Sequence, residues 1–216
     1  MTDEIDWAGR WRDRRLGFHK SGVHDDLLTH QERFLGDGNH RVLVPLCGKS
    51  VDMVWLAKQG NSVVGVEWVE AGVREFFAEH EISPEITSHG PFTSFTAGAI
   101  TILCGDVLTL NDAPIEPFDR IWDRAALVAL PPDTRQSYVA TLRAAAAPGT
   151  LVLQNSFTYE QSRMSGPPFS VSAEDIGRLY DGCEIELLQE RDDLATIPFT
   201  DYGHEYWLTS TYLIRL

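Results

Sequence analysis

The chain is short of several features that settle a protein's chemistry at once. Cysteine occurs three times, at Cys47, Cys104 and Cys183, with no CxxC pair. An odd count at wide spacing argues against a disulfide scaffold or a structural zinc site. Cys47 and Cys104 end apolar runs, where a thiol acts as a small hydrophobe. The seven histidines show no metal-ligand spacing, so no metal is expected. No apolar stretch is long enough to span a bilayer, and the opening MTDEIDWAGRW is too acidic for a secretory leader. A cytoplasmic location is therefore expected. Basic residues are scarce: 18 Lys and Arg face 32 Asp and Glu, a formal charge of −14. That balance repels phosphate backbones and anionic lipid. Neither nucleic acid nor membrane is an expected partner, and a soluble monomer is the default.

The glycine patterns of phosphate binding are missing too. VPLCGKS at 44–50 contains GKS, but the position where a Walker A loop needs its first glycine is Leu43. GxGxxG fails because Gly48 stands alone, so a pyrophosphate could not approach the backbone closely. QNSF at 154–157 lacks the glycines of a nucleophile elbow.

What is present suits one α/β domain over residues 1–216. The chain has 216 residues, 43% of them hydrophobic, and no linker or repeat. Trp7 and Trp11, spaced i, i+4, share one face of an opening helix over 3–16. A second helix is expected over 24–35, and residues 1–40 form a helical segment ahead of the first strand. Strands then alternate with helices: 41–46, 50–60, 62–67, 70–80, a strand pair at 92–98 and 99–106, 118–123, 132–147, 150–156, 172–182, 183–190 and 205–216. Such alternation implies right-handed βαβ units and a mostly parallel sheet covered on both faces. Ligands of these sheets sit at the carboxyl ends of the strands, near Leu46, Glu67, Cys104 and Asp123.

Candidate ligands follow from those ends. Gly48 permits a tight turn, which suffices for a ligand without phosphate. Glu67 directly follows the apolar run VVGV, and an acidic side chain there can accept from both hydroxyls of a ribose; Glu70 is the competing carboxylate. Asp106 can accept from an adenine amino group while Val107 packs on the ring, although Asp is also a common turn residue. Asp123 and Arg124 end another strand, where an adjacent anion and cation often form a structural pair.

VPLCGKSVDMVWLA, SVVGVE, EFFAEH, IWDRAALVALPP, GPPFSV and the opening W…W…GFH together resemble the thiopurine S-methyltransferase family over roughly the first 190 residues. The resemblance implies the three-layer Rossmann-like class I methyltransferase fold, with seven strands, an antiparallel last strand and an N-terminal helical lid. It implies S-adenosylmethionine as cofactor and a small-molecule thiol as acceptor. Trp7, Trp11, Leu46, Gly48, Glu67, Asp106, Val107 and Arg124 are then cofactor candidates. Arg124 also positions the acceptor anion, and Phe18 and Phe169 line its pocket.

Two departures stand out: Trp68-Val69 replaces an aliphatic residue and a serine, and the match thins after Glu190. The acceptor is therefore less defined than the cofactor. Competing readings are methylation of halide, thiocyanate or selenium and tellurium acceptors, a nicotinamide-dependent oxidoreductase, and a non-catalytic cofactor-binding module.

Overall fold

The computed structural model describes residues 5–17 and 19–216. Helices α1 (Trp7–Arg12) and α2 (Asp25–Leu35) precede β1 (Arg41–Pro45), α3 (Asp52–Lys58), β2 (Ser62–Glu67) and α4 (Glu70–Glu79). Three strands follow: β3 (Glu85–His89), β4 (Phe92–Ala97) and β5 (Ile100–Cys104). The remainder is β6 (Phe118–Asp123), α5 (Pro132–Ala145), β7 (Ala146–Thr158), α6 (Ala173–Leu179), β8 (Glu184–Asp192) and β9 (Leu208–Arg215).

All strands join one sheet in the order β3-β4-β5-β2-β1-β6-β7-β9-β8. The run from β5 to β8 is the expected seven-stranded core, with β9 antiparallel to both neighbours. The β3–β4 meander adds two strands at one edge, so the sheet has nine. Strand β3 escapes a reading by apolar alternation because its residues EITSH are almost all exposed. The helix expected over 3–16 is only Trp7–Arg12, opened by the Asp6 side chain, which accepts from the Gly9 N–H.

Side chains alternate across the sheet with period two. Val42, Val44 and Val63 join Phe34, Met53, Leu56, Val73 and Phe76, from α2, α3 and α4, in one apolar layer. Leu43, Val64 and Val66 join Tyr138, Leu142, Ile176 and Leu179, from α5 and α6, in the other. The three layers place chain reversal at β1. From there the connections run towards β2 and β5 on one side and towards β6 and β7 on the other. A crevice opens at such a switch, beyond the carboxyl ends of β1 and β6.

Candidate functional site

The loops after β1, β2 and β6 meet at that crevice. Leu46 and Ala125 carry positive φ, 45° and 66°, a conformation that non-glycine residues adopt at a cost of about 1–2 kcal/mol. Strain at two strand tips that both line the crevice bends the chain outward and opens space between them. The loop after β1 folds back on β2 because Gly65 has no side chain. A Cβ there would stand 2.6 Å from Cys47 Sγ.

Glu67 closes β2 and is almost fully buried. Its carboxylate accepts from the Gly48 N–H at 2.8 Å and the Val69 N–H at 2.7 Å. Burial pushes its pKa up to about 7, against the opposing pull of those donors. One acidic group thus pins the loop after β1 to the end of β2.

The N-terminal segment packs over this point. Trp11 is 3% exposed and its ring lies against Gly72 of α4, where a Cβ would approach it to 2.5 Å. Arg14 donates twice to Glu75 on the same helix, at 2.8 and 2.7 Å. Lys49 also reaches Glu75, at 3.1 Å, so the turn after α1, the loop after β1 and α4 share one carboxylate. Replacing Gly72 by valine should evict Trp11 from its seat. The expected result is about tenfold weaker binding of any ligand that α1 covers, with greater acrylamide quenching of tryptophan fluorescence.

The resulting cleft holds about 840 Å³, its open mouth included. Its walls bring together Trp7, Trp11, Leu46, Glu67, Trp68 and Arg124. The buried Trp122 ring also contributes, held by its Nε1–H donating to Asp52 at 2.9 Å. Asp52 also accepts from the His24 N–H at 2.9 Å, which ties the segment before α2 to α3. Burial lowers the Arg124 pKa, with Asp52 acting in the other direction. A guanidinium remains a cation even so.

A second, wider cavity shares Trp7, Lys20, His24, Arg124, Ala125 and Ala129 with the first. Aromatic side chains line part of it, among them Phe157, Phe199 and Trp207. Trp207 is sandwiched between Tyr159, parallel at 4.5 Å between centroids, and Phe199 at 5.4 Å, with Phe157 beside it. Pro167 and Pro168 line it too. Asp26 also borders it, is 1% exposed and accepts from Asn155 Nδ2 and Thr211 Oγ1, both at 2.8 Å, and from Arg191 at 2.5 Å. The Asp26 carboxyl is driven up by burial, but its hydrogen bonds from Arg191 and Thr211 prevail and hold it below its ordinary value. Replacing Asp26 by alanine removes the buried carboxylate partner of Arg191 and one acceptor of Asn155. A loss of about 3 kcal/mol in urea unfolding is expected.

His24 lies in the wall common to both cavities. Its Nδ1 accepts from the Asp26 N–H as the cap of α2, so the neutral ring carries its proton on Nε2. Burial first, and then Arg124, lower its pKa, which keeps the ring uncharged at neutral pH.

The structure thus brings together Trp7, Trp11, Leu46, Glu67 and Arg124. Trp11 is the buried tryptophan of the pair, whereas Trp7 is half-buried and borders both cavities. Gly48 sits behind the wall and acts through its N–H on Glu67. Asp106 and Val107 do not line the cleft. The Asp106 side chain accepts from the Leu108 N–H, and Val107 is fully buried in the core. Phe169 lines neither cavity. Its ring lies against Gly166 and under the Arg135 guanidinium, and Pro167 and Pro168 take the lining position expected of it. Phe18 lies outside the described residues. Sequence reasoning missed His24, Asp26, Asp52, Arg191 and Trp207. Several of their partners stand far off in the chain, Asp52 28 residues from His24 and Thr211 185 from Asp26, and no local motif marks them. Asp123, beside Arg124, is committed elsewhere: it accepts from the Tyr138 hydroxyl at 2.7 Å, and burial raises its pKa to about 6.

Among the described residues, no group of His, Cys, Asp or Glu is placed to hold a metal ion. No helix among them is long and apolar enough to cross a membrane.

Comparison with known proteins agrees with this geometry. The fold is similar to a SAM-dependent methyltransferase from Methanosarcina mazei, with TM-score 0.62 and 14% identity over 86% of this chain and 95% of that one. It is also similar to the 1,6-didemethyltoxoflavin-N1-methyltransferase of Burkholderia thailandensis, solved with S-adenosylhomocysteine, at TM-score 0.61 and 17% identity over 97% and 85% of the two chains. Sequence relatives lie much nearer. The thiopurine S-methyltransferase of Photobacterium profundum is 39% identical over 97% of both chains. That of Legionella pneumophila strain Corby is 41% identical over 86% of this chain and 84% of its own. The sequence model described as Thiopurine S-methyltransferase (TPMT) matches residues 2–215, and the chain belongs to the thiopurine S-methyltransferase family.

Proposed function

We propose that this protein transfers the methyl group of S-adenosylmethionine to the sulfur of a small aromatic or heterocyclic thiol. The observation that carries the reading is the pair of cavities joined through shared residues, with the buried Glu67 carboxyl lining the first and aromatic residues lining the second.

The first cleft suits the cofactor on three counts. Glu67 is a buried acceptor at the end of β2, suited to ribose hydroxyls. The half-buried Trp7 borders the cleft with an aromatic ring, a group whose face attracts a cation such as a sulfonium. No glycine-rich phosphate cradle is present, and none is required. The bound cofactor supplies a methyl group already activated for displacement.

The protein's own residues then have two tasks, alignment and exclusion of water. The α1 segment, seated through Trp11 and Arg14, covers the cleft. Arg124, in the shared wall, holds the acceptor in its anionic form next to the cofactor side. The uncharged His24 stands in the same shared wall. No strong base is needed for an acceptor that is already ionised near neutral pH. The half-buried rings of Phe157 and Phe199, backed by the buried Trp207, receive the body of a flat acceptor. A cavity of that width and lining does not favour halide or a small chalcogen anion.

The test is calorimetric titration with S-adenosylhomocysteine, followed by methyl-transfer assays on aromatic thiols, a thiopurine, selenite and iodide. Product binding with turnover of an aromatic thiol supports the reading. Turnover of inorganic acceptors alone overturns the acceptor assignment, and absence of product binding overturns the cofactor assignment.

A further inference from the structure

Arg135, in the first turn of α5, is a cation in the core. It is 4% exposed, and among the described residues its Nη2 has no hydrogen-bond partner. Asp175, which acts on it through space, is bonded instead to Ser172 and Arg178. Burial lowers the Arg135 pKa, but a guanidinium remains a cation. A buried charge without a paired counter-charge costs folding energy, and an apolar side chain of similar volume commonly does better. Stability therefore does not account for this arginine.

Its contacts join two loops. The Nε–H donates to the Leu130 carbonyl at 3.1 Å, near the end of the loop after β6. That loop begins with Arg124 and the strained Ala125, and Arg124, Ala125, Val128 and Ala129 all line the second cavity. The guanidinium also lies over the Phe169 ring, 6.0 Å from its centroid. The ring is pressed against Gly166, where a Cβ would stand 2.6 Å from it. The Phe169 N–H donates to the Val128 carbonyl at 2.6 Å, and the Tyr159 hydroxyl donates to the Pro168 carbonyl at 2.6 Å. Pro167 and Pro168, held between these points, line the second cavity as well. One planar cation can donate in its plane and stack on a ring at the same time, which an ammonium or an amide does less well.

We infer that Arg135 is a positioning residue for methyl transfer, fixing the loop that bears Arg124 against the turn from Gly166 to Phe169. It lines neither cavity and acts only through these neighbours. The inference rests on the aromatic-thiol reading above and adds to it a residue outside both cavities. Its effect falls on alignment more than on binding. Without it an acceptor still enters, but the sulfur and the methyl group are misplaced, and rate is sensitive to small displacements.

The test uses thiophenol as acceptor and full-length Arg135→Met, Arg135→Lys and Phe169→Leu variants. Arg135→Met removes the cation at similar volume. Its kcat should fall by about tenfold to 100-fold. KM for thiophenol and the affinity for S-adenosylhomocysteine should stay within about threefold of wild type, and the urea midpoint should hold or rise. The pH profile of kcat/KM should move to the alkaline side, because a displaced Arg124 stabilises the thiolate less. Lysine keeps the charge without the plane and should recover only part of kcat. Arg135→Met combined with Phe169→Leu should lose little more than the worse single variant, since the two side chains act as one unit.

Wild-type kcat in Arg135→Met overturns the inference. So does a loss of kcat matched by equal losses of S-adenosylhomocysteine affinity and urea midpoint, and so does full additivity of the two substitutions. If Arg135→Met does not fold, Phe169→Leu decides: a tenfold lower kcat at unchanged S-adenosylhomocysteine affinity supports the inference, and wild-type kcat overturns it. Failure of the wild-type protein to methylate thiophenol, with S-adenosylhomocysteine bound, shows before any variant is made. It overturns the aromatic-thiol reading, and this inference with it.

Discussion

Replacing Glu67 by alanine is expected to weaken the binding of S-adenosylhomocysteine by about 100-fold or more, since two charge-assisted hydrogen bonds of ~1.5–3 kcal/mol each go together. The loss has a second component. Glu67 also accepts from the Gly48 and Val69 N–H groups, so its removal frees the loop that carries Leu46. Glutamine keeps the shape but not the charge, and should fall between wild type and alanine.

The same residue makes binding depend on pH. Burial holds the Glu67 carboxyl up at about 7, so much of the free protein is protonated there at neutrality. A ribose hydroxyl needs the ionised form as acceptor, so binding expels a proton. Affinity should fall by about tenfold for each pH unit below 7 and level off above it. Calorimetry in two buffers of different ionisation enthalpy reads the released proton directly. The slope should vanish in Glu67→Gln, and a wild-type affinity that stays flat from about pH 5.5 to pH 8 would falsify the assignment. For folding the sign is opposite. A carboxyl raised above its unfolded value of 4.5 adds stability that is complete below that value and disappears as pH climbs through about 7. The ligand-free protein therefore gives up stability near neutrality at the group proposed to hold the ribose.

The second large effect is expected at Arg124. Its replacement by alanine should lower kcat/KM for a thiol acceptor by about 100- to 1000-fold, the usual consequence of losing one preorganised charge at a reacting anion. Acceptors of higher thiol pKa should suffer most, because they depend most on the protein to hold the thiolate. The pH profile of kcat/KM should accordingly move to the alkaline side. Lysine should restore part of the activity, as a point charge without the planar fork. The melting temperature should change little by comparison. A variant with unchanged turnover and unchanged profile would remove Arg124 from the chemistry.

Much of the sheet could be read in the residues because its central strands are short apolar runs bounded by glycine, proline or charge. RVLVP, SVVGVE and ITILC are of that kind. What escaped is what has no such pattern. The polar edge strand β3 packs on nothing that would demand alternation. At the candidate site, strand-end logic points to Leu46, Glu67 and Arg124, each at or just past the end of a strand, and the structure gathers all three around one cleft. It did not separate Phe169 from its neighbours: the turn at Gly166 sends that ring to Arg135 and leaves the two prolines facing the cavity. Asp106 looked equally suitable as a ligand and as a turn cap, and in this structure it caps the turn after β5. The Asp26–Asn155–Thr211–Arg191 network joins α2 to three strands, so no single stretch of sequence carries its signal.

The aromatic lining has a consequence for how the protein could change its diet. Phe199 and Trp207 belong to the chain between β8 and β9, whose two ends are clamped by a long antiparallel ladder running from Glu184–Arg215 to Asp192–Leu208. Residues inserted, removed or exchanged between those clamps alter that lining alone. They leave Glu67, Trp11 and the strained tips at Leu46 and Ala125 where they are. On the proposed reading acceptor range is a detachable cassette, and a relative's segment grafted between Asp192 and Leu208 should carry that relative's preferences with it.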